Sequence, residues 1–196
     1  LTIIQMKIKP TLASLVASLV PHAAFADVTI TFKKLNEAHV QGMYAAKNFK
    51  AAREIAIQCS DESDNPNCQL FAAEFMLNGV GGEQDDKSAF KYLTRSAEHG
   101  SPAAQALLGN FYHNGIGTDK DTRLAVKWWE ESAKNCNTWA QNATARSYYD
   151  GELVPQDKVK ALFWVSVAAR YKFPNADKGV EVIQEELNDA QQNKSK

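Results

Sequence analysis

Four histidines, three cysteines and one Ser-x-x-Lys tetrad are the residues of this 196-residue chain best suited to chemistry. His22, His39, His99 and His113 form no His-x-x-x-His pair, and Cys59, Cys68 and Cys136 match no zinc spacing. No metal and no cofactor is therefore expected. Ser88-Ala89-Phe90-Lys91 has the form of the nucleophile motif of penicillin-recognising enzymes. Neither Ser-Asp-Asn nor Lys-Thr-Gly accompanies it, and the tetrad lies in a helical pattern, so it reads as a solvated helix face. Glu130 and Glu131 are adjacent, so on a helix their side chains diverge by about 100° and cannot act as a carboxylate pair. Glu83, Asp85 and Asp86 suit the positive end of a helix dipole. Gly79–Gly82 lacks the Lys-Ser/Thr of a phosphate loop. These residues do not add up to an enzyme.

The positioning elements come after an address. Lys7 and Lys9 are followed by an apolar stretch, Thr11–Val20, and by Ala24-Phe25-Ala26, the pattern a signal peptidase accepts. Residues 1–26 are predicted to be a signal peptide, with 1–5 upstream of a candidate initiator, Met6. The apolar stretch is too short for the ~20 residues of a membrane span. No cysteine precedes Cys59, so a lipid anchor at the cleavage site is not supported. The expected location is the periplasm, or outside the cell. Charges nearly cancel, at 22 Lys+Arg against 23 Asp+Glu, so no nucleic-acid partner is expected.

A 36-residue period organises the remainder of the chain. It relates Gly79, Gly115 and Gly151; Asp85, Asp121 and Asp157; Ala89, Ala125 and Ala161; Tyr92, Trp128 and Trp164; Ala97, Ala133 and Ala169; and Ala104, Ala140 and Ala176. Ala104, Leu108 and Tyr112 fall on one face of a helix, here called helix A. The glycines end helix A because they reach positive φ without strain. The aspartates then cap a second helix, helix B. Trp128 and Trp164 are expected in the core, as is Trp129, which aligns with Leu93 and Val165. Such hairpins must stack to bury their apolar faces.

The pattern Ala-x-x-x-Leu-Gly-x-x-Tyr-x-x-Gly-x-Gly, then Asp-x-x-x-Ala-x-x-Trp-x-x-x-x-Ala, resembles the Sel-1-like repeat, a relative of the tetratricopeptide repeat. Ala104 to Ala133 fit best. The first copy has Ala72-Ala73 in place of Leu-Gly; the third has Thr144-Ala145 there and Leu153 in place of the second glycine. The resemblance implies an all-α fold, a right-handed α-solenoid of antiparallel helix hairpins. The expected organisation is an N-terminal capping helix pair over 27–66 and three repeats over 67–172 (67–102, 103–138, 139–172). A C-terminal capping helix and tail complete the chain over 173–196.

In the related tetratricopeptide repeats, helix A lines the concave face. Carrying that geometry over by register makes Glu74, Asn78, Asn110, His113, Asn114, Trp139, Asn142, Arg146, Tyr149 and Asp150 the candidate partner-binding residues. Ala103, Ala106, Asn67, Leu70 and Leu77 complete the same positions. Aromatic, amide and Arg groups suit a peptide or protein partner. Trp139 is informative because its equivalents are Ala103 and Asn175, so the repeat does not demand a tryptophan there. Local packing of Trp139 is the alternative. Cys59 and Cys68 bracket a short acidic loop and would pair in an oxidising compartment, leaving Cys136 free; three reduced thiols is the alternative. The expected function is a non-catalytic, monomeric interaction scaffold or regulator. An immunity or inhibitor protein against a secreted toxin or hydrolase is the second reading, and a β-lactam-binding or hydrolysing enzyme the third.

Overall fold

The structure, a computed structural model, describes residues 38–194; the expected signal segment, with His22, lies outside them. The described residues form nine helices and no strand. They are α1 (38–45), α2 (Phe49–Glu62), α3 (Pro66–Leu77), α4 (Asp86–Glu98), α5 (Pro102–Asn114), α6 (Thr122–Lys134), α7 (Thr138–Asp150), α8 (Lys158–Arg170) and α9 (Ala176–Lys194). The main helix contacts all join elements consecutive in the chain, as in a solenoid. None of these helices is long and apolar enough to cross a membrane.

Each repeat boundary is written in side-chain chemistry. The Asp column caps the B helices: Asp85 accepts from Ser88 N, Asp121 from Arg123 N and Leu124 N, and Asp157 from Lys160 N. A second column, less conspicuous in the sequence, caps the A helices. Asn65, Ser101 and Asn137 stand 36 apart and accept from Asn67 N, Ala104 N and Ala140 N. Helix A ends in a left-handed glycine in all three copies (Gly79, Gly115, Gly151). Helix B ends in a left-handed residue too, but it is Gly100 in the first copy, then Cys136 and Lys172. Cys136 is free and exposed.

Small residues bring the helices together. Ala89, Ala125 and Ala161 are fully buried, as are Ala104 and Ala140, and large groups fill between them: Leu93, Phe111, Trp129 and Val165. The expectation of a buried aromatic column holds for Tyr92 but not for its equivalents. Trp128 and Trp164 are half-buried and lie against the core clusters rather than within them. One position on, Leu93, Trp129 and Val165 do occupy the core.

A buried polar ladder also runs through the stack. Gln69, Gln105 and Gln141 are 36 apart and buried. Gln105 Nε2 donates to Ala97 O of the preceding hairpin, and Gln141 Nε2 to Ala133 O. Gln105 Oε1 accepts from Asn135 Nδ2, and His99 Nδ1 lies 2.9 Å from Gln69 Oε1. Serines repeat the theme, Ser96 donating to Pro66 O and Ser132 to Pro102 O. Each bond satisfies a group that would otherwise be desolvated alone; the two glutamine Nε2 bonds fix the register of one hairpin on the next, and the others tie the two helices of one hairpin together.

The ladder is incomplete at its C-terminal rung. Gln141 Oε1 is buried without a partner among the described residues, because the place of His99 and Asn135 is taken by Tyr171. Tyr171 shares their backbone conformation (φ −91°, ψ 14°, against −85° and 27° at Asn135) and is 57% exposed. Replacing Tyr171 by asparagine is therefore expected to raise unfolding stability by about 1 kcal/mol, the worth of one recovered hydrogen bond. A urea midpoint unchanged or lowered would show that Gln141 gains nothing from that position.

At the other end, Cys59 in α2 and Cys68 in α3 form a disulfide. Closing so short a loop removes unfolded-state entropy worth roughly 2.5–3 kcal/mol. Beside it, Tyr92 OH and Arg95 reach Asp61, and Arg95 Nη2 donates to Ser60 O, tying α4 to the end of α2.

Candidate partner-binding face

The chemistry-bearing residues of the sequence divide cleanly in space. Ser88 Oγ donates to Asp85 Oδ2 at 2.7 Å, so its hydrogen is held by a capping carboxylate, and Lys91 is exposed beside the Tyr92 ring. The lowered pKa of Asp85 has the same origin, bonds from Ser88 N and Oγ. Glu130 and Glu131 part as expected for neighbours on a helix. Glu130 accepts from Tyr148 OH and Glu131 pairs with Lys134. Burial, then the Glu130 bond, pushes the Tyr148 hydroxyl up to about 12. Among the described residues, no three His, Cys, Asp or Glu side chains gather to hold a metal ion.

The candidate face residues fall into three groups along helices α3, α5 and α7. At the N-terminal end, Glu74 and Asn78 line a cavity of about 350 Å³ with Val40, Tyr44, Phe71 and Phe75. Asn78 Nδ2 donates to Glu74 O and so closes the last turn of its own helix. At the C-terminal end, Asn142, Arg146 and Tyr149 line a cavity of about 260 Å³ between α7 and α9, with Lys178, Val165 and Ile183. Tyr149 OH donates to Glu186 Oε1, and Glu186 is paired with Lys158 at 3.0 Å. Those two bonds, Tyr149 first, lower the Glu186 pKa and fix one wall of the cavity. Asn114 and Asp150 are exposed at the ends of α5 and α7 and line neither cavity; Asn114 Nδ2 caps Asn110 O.

Between the cavities lies an aromatic cluster. Trp129 Nε1 donates to Asn110 Oδ1 at 3.1 Å. The indole of Trp129 meets His113 at 5.6 Å and the edge of Trp139 at 6.1 Å between centroids. Trp129 is buried, whereas Trp139 is 44% exposed. Trp139 thus stands on a buried ring with its own surface open to solvent. The Nδ1 atom of His113 is buried with no hydrogen-bond partner among the described residues. Ala106, expected on this face, is buried instead and packs with Ala133 and Ala140.

Sequence reasoning missed the aromatic walls of the first cavity, Tyr44 and Phe71, because they precede the clear repeats or sit off the transferred positions. Only Phe71 carried a signal, one residue after Leu70. For Tyr44 no register could be drawn. The N-terminal hairpin is offset by one residue, its cap Asn48 lying 37 rather than 36 positions before Asp85.

A family model described as Sel1 repeat matches residues 66–101, 102–135 and 140–170. Among solved structures, a Sel1 repeat protein from Oxalobacter formigenes is 29% identical, with a TM-score of 0.61 over 68% of this chain and 54% of its own. A protective antigen of uropathogenic Escherichia coli displaying an SLR fold superposes with a TM-score of 0.68 at 19% identity. That match covers 72% of this chain and 31% of the antigen. Cysteine-rich protein B of Helicobacter pylori gives 0.50 at 18% identity, over 72% and 95%. The chain thus spans about half of the Oxalobacter protein and under a third of the antigen. The last two likenesses concern the fold alone. No curated protein matches the chain.

Proposed function

We propose, because the chain belongs to the Sel1 repeat family, that it is an exported, non-catalytic scaffold holding a peptide or protein partner along its A-helix face. The observation that carries this reading is Trp139. The repeat places alanine or asparagine at its equivalents, yet here a large ring is 44% exposed and braced from behind by Trp129. A rigid aromatic two turns from Arg146 on the same helix has the composition of an interface hot spot. The Cys59–Cys68 disulfide supports export, since such bonds persist in oxidising compartments.

Selection of a displayed random-peptide library on the purified protein tests this. The native protein is expected to enrich one family of sequences. The Trp139→Ala/Arg146→Ala double variant, folded by circular dichroism, is expected to bind those peptides at least tenfold more weakly, as two lost anchors at about 1 kcal/mol or more each imply. Equal affinity in the double variant would overturn the reading.

A further inference from the structure

The cavity at the N-terminal end of the face differs from the other in one respect. Three aromatic residues line it together with one carboxylate. Tyr44 stacks on Phe75 at 5.9 Å and 14°, and Phe71 on Phe75 at 6.4 Å and 21°. Tyr44 is half exposed. Glu74 lies among them, half-buried, and burial raises its pKa. Its carboxylate makes no hydrogen bond or ion pair with the described residues. The Asn78 amide on the same wall is committed to the Glu74 backbone carbonyl, and Gln41, the other amide there, is exposed. Elsewhere on this protein the partly buried carboxylate Glu186 is matched by Lys158 and Tyr149, and even the exposed Asp61 is matched by Arg95 and Tyr92. Glu74 is therefore a partly desolvated charge without a counter-charge among the described residues, on the wall of a cavity that the rings also line.

The two features ask for the same ligand. A carboxylate out of water is stabilised by a cation brought to it. The negative faces of aromatic rings attract an ammonium or guanidinium within about 6 Å. An apolar side chain would fill the space but would strip more water from Glu74 and leave it unmatched. An anion would be repelled. The volume, about 350 Å³, sits at the small end of ligand cavities and fits one long side chain. We infer that this cavity receives a lysine or arginine side chain of the partner segment, with the cationic head against Glu74 and the stem along Tyr44 and Phe71. The inference rests on the partner-binding reading above and names what that partner must carry at this end. The far cavity, with Arg146 and Lys178 on its wall, has the opposite sign. The face is thus polar along its length, and a bound segment has one permitted direction.

Titration of the protein with Nα-acetyl-lysine N-methylamide, its arginine analogue and the uncharged norleucine analogue tests this, followed by NMR shifts of the Tyr44 and Phe71 rings. The cationic probes are expected to bind at least tenfold more tightly than norleucine. Glu74→Gln, nearly isosteric, is expected to abolish that difference, whereas Arg146→Ala leaves it unchanged. Tyr44→Ala is expected to weaken the cationic probes severalfold without restoring norleucine. Norleucine binding as well as lysine, or Glu74→Gln binding as well as the native protein, overturns the inference. These outcomes are separate from the fate of the broader reading. Failure of the probes here, with peptide binding still lost in the Trp139/Arg146 variant, removes only the cation site. Binding of the probes with no effect of that variant removes only the extended face.

Discussion

Truncating Trp129 to alanine is expected to lower the unfolding free energy by about 3–5 kcal/mol, the range for emptying a large aromatic site. Trp129 is 5% exposed, hydrogen-bonds Asn110, and supports both His113 and Trp139. Its size explains a detail of the repeat. A methyl added at Gly109 would fall on Cδ1 and Nε1 of Trp129 and lie 3.0 Å from Ala125 O. In the first copy the same two places hold Ala73 and Leu93, and in the third Ala145 and Val165. The glycine of Leu108-Gly109 is therefore the complement of a tryptophan, and alanine is the complement of a smaller group. Gly109→Ala alone is expected to cost about 1–3 kcal/mol by overpacking, despite alanine's better helix propensity. Gly109→Ala with Trp129→Leu rebuilds the first copy's pairing. The double variant is expected to be at least about 1 kcal/mol more stable than the sum of the single losses. Urea denaturation of the four proteins measures it; additive losses would show that the two sites do not share a space.

Replacing Gly117 by alanine is expected to cost about 2–4 kcal/mol. Two penalties combine: a left-handed backbone (φ +65°), worth about 1 kcal/mol for a residue with a side chain, and a steric one. The new methyl would meet Asp86 O and lie 2.7 Å from Asp86 C and 3.0 Å from Phe90 Cβ. The obstacle is backbone at the start of α4, which cannot rotate away, so the turn after α5 must lift off its neighbour. Gly100 supplies the control. It has φ +83° with nothing within 4 Å of an added methyl, so Gly100→Ala is expected to cost only the backbone term. Equal losses at the two glycines, by the same denaturation, would place the whole effect in conformation and none in the close approach.

These two glycines show what could be read from sequence and what could not. The 36-residue period gave the hairpins, their caps and their turns, because each column answers to a local rule: φ at glycine, a capping oxygen at aspartate, a small contact at alanine. Departures from the period were harder. Ala73 and Ala145 look like decay of a motif until their partners Leu93 and Val165 explain them, and that pairing is tertiary. Leu153, at the place of Gly81 and Gly117, packs beside Val126 and Trp129 instead of admitting a close backbone approach. The Gln69, Gln105 and Gln141 column is present in the sequence but carries no message there, since a buried amide has no value until its two partners are known. On the candidate face, register placed Glu74 and Arg146 at opposite ends. It could not show that Trp139 leans on Trp129, or that Tyr44 stacks on Phe75 beside the cavity that Glu74 lines. Those contacts cross between hairpins, where spacing along one helix is silent.

The glutamine ladder has open rungs only at its extremities: Gln69 Nε2 lacks an acceptor at one end and Gln141 Oε1 lacks a donor at the other. The interior rung, Gln105, is closed on one side by the preceding copy, through Ala97 O, and on the other by Asn135 of its own copy. A second copy of the middle unit, residues 103–138, would bring its own glutamine, its own asparagine donor and its own acceptor, and would add no open rung to the ladder. Loss of that unit would equally leave the same two open rungs. The open rungs thus belong to the first and last copies and not to the number of copies between them. Such a chain can be lengthened or shortened by duplication or deletion of its middle unit while the ladder keeps the same two open rungs, and the distance between an acidic pocket and a basic one becomes an adjustable ruler.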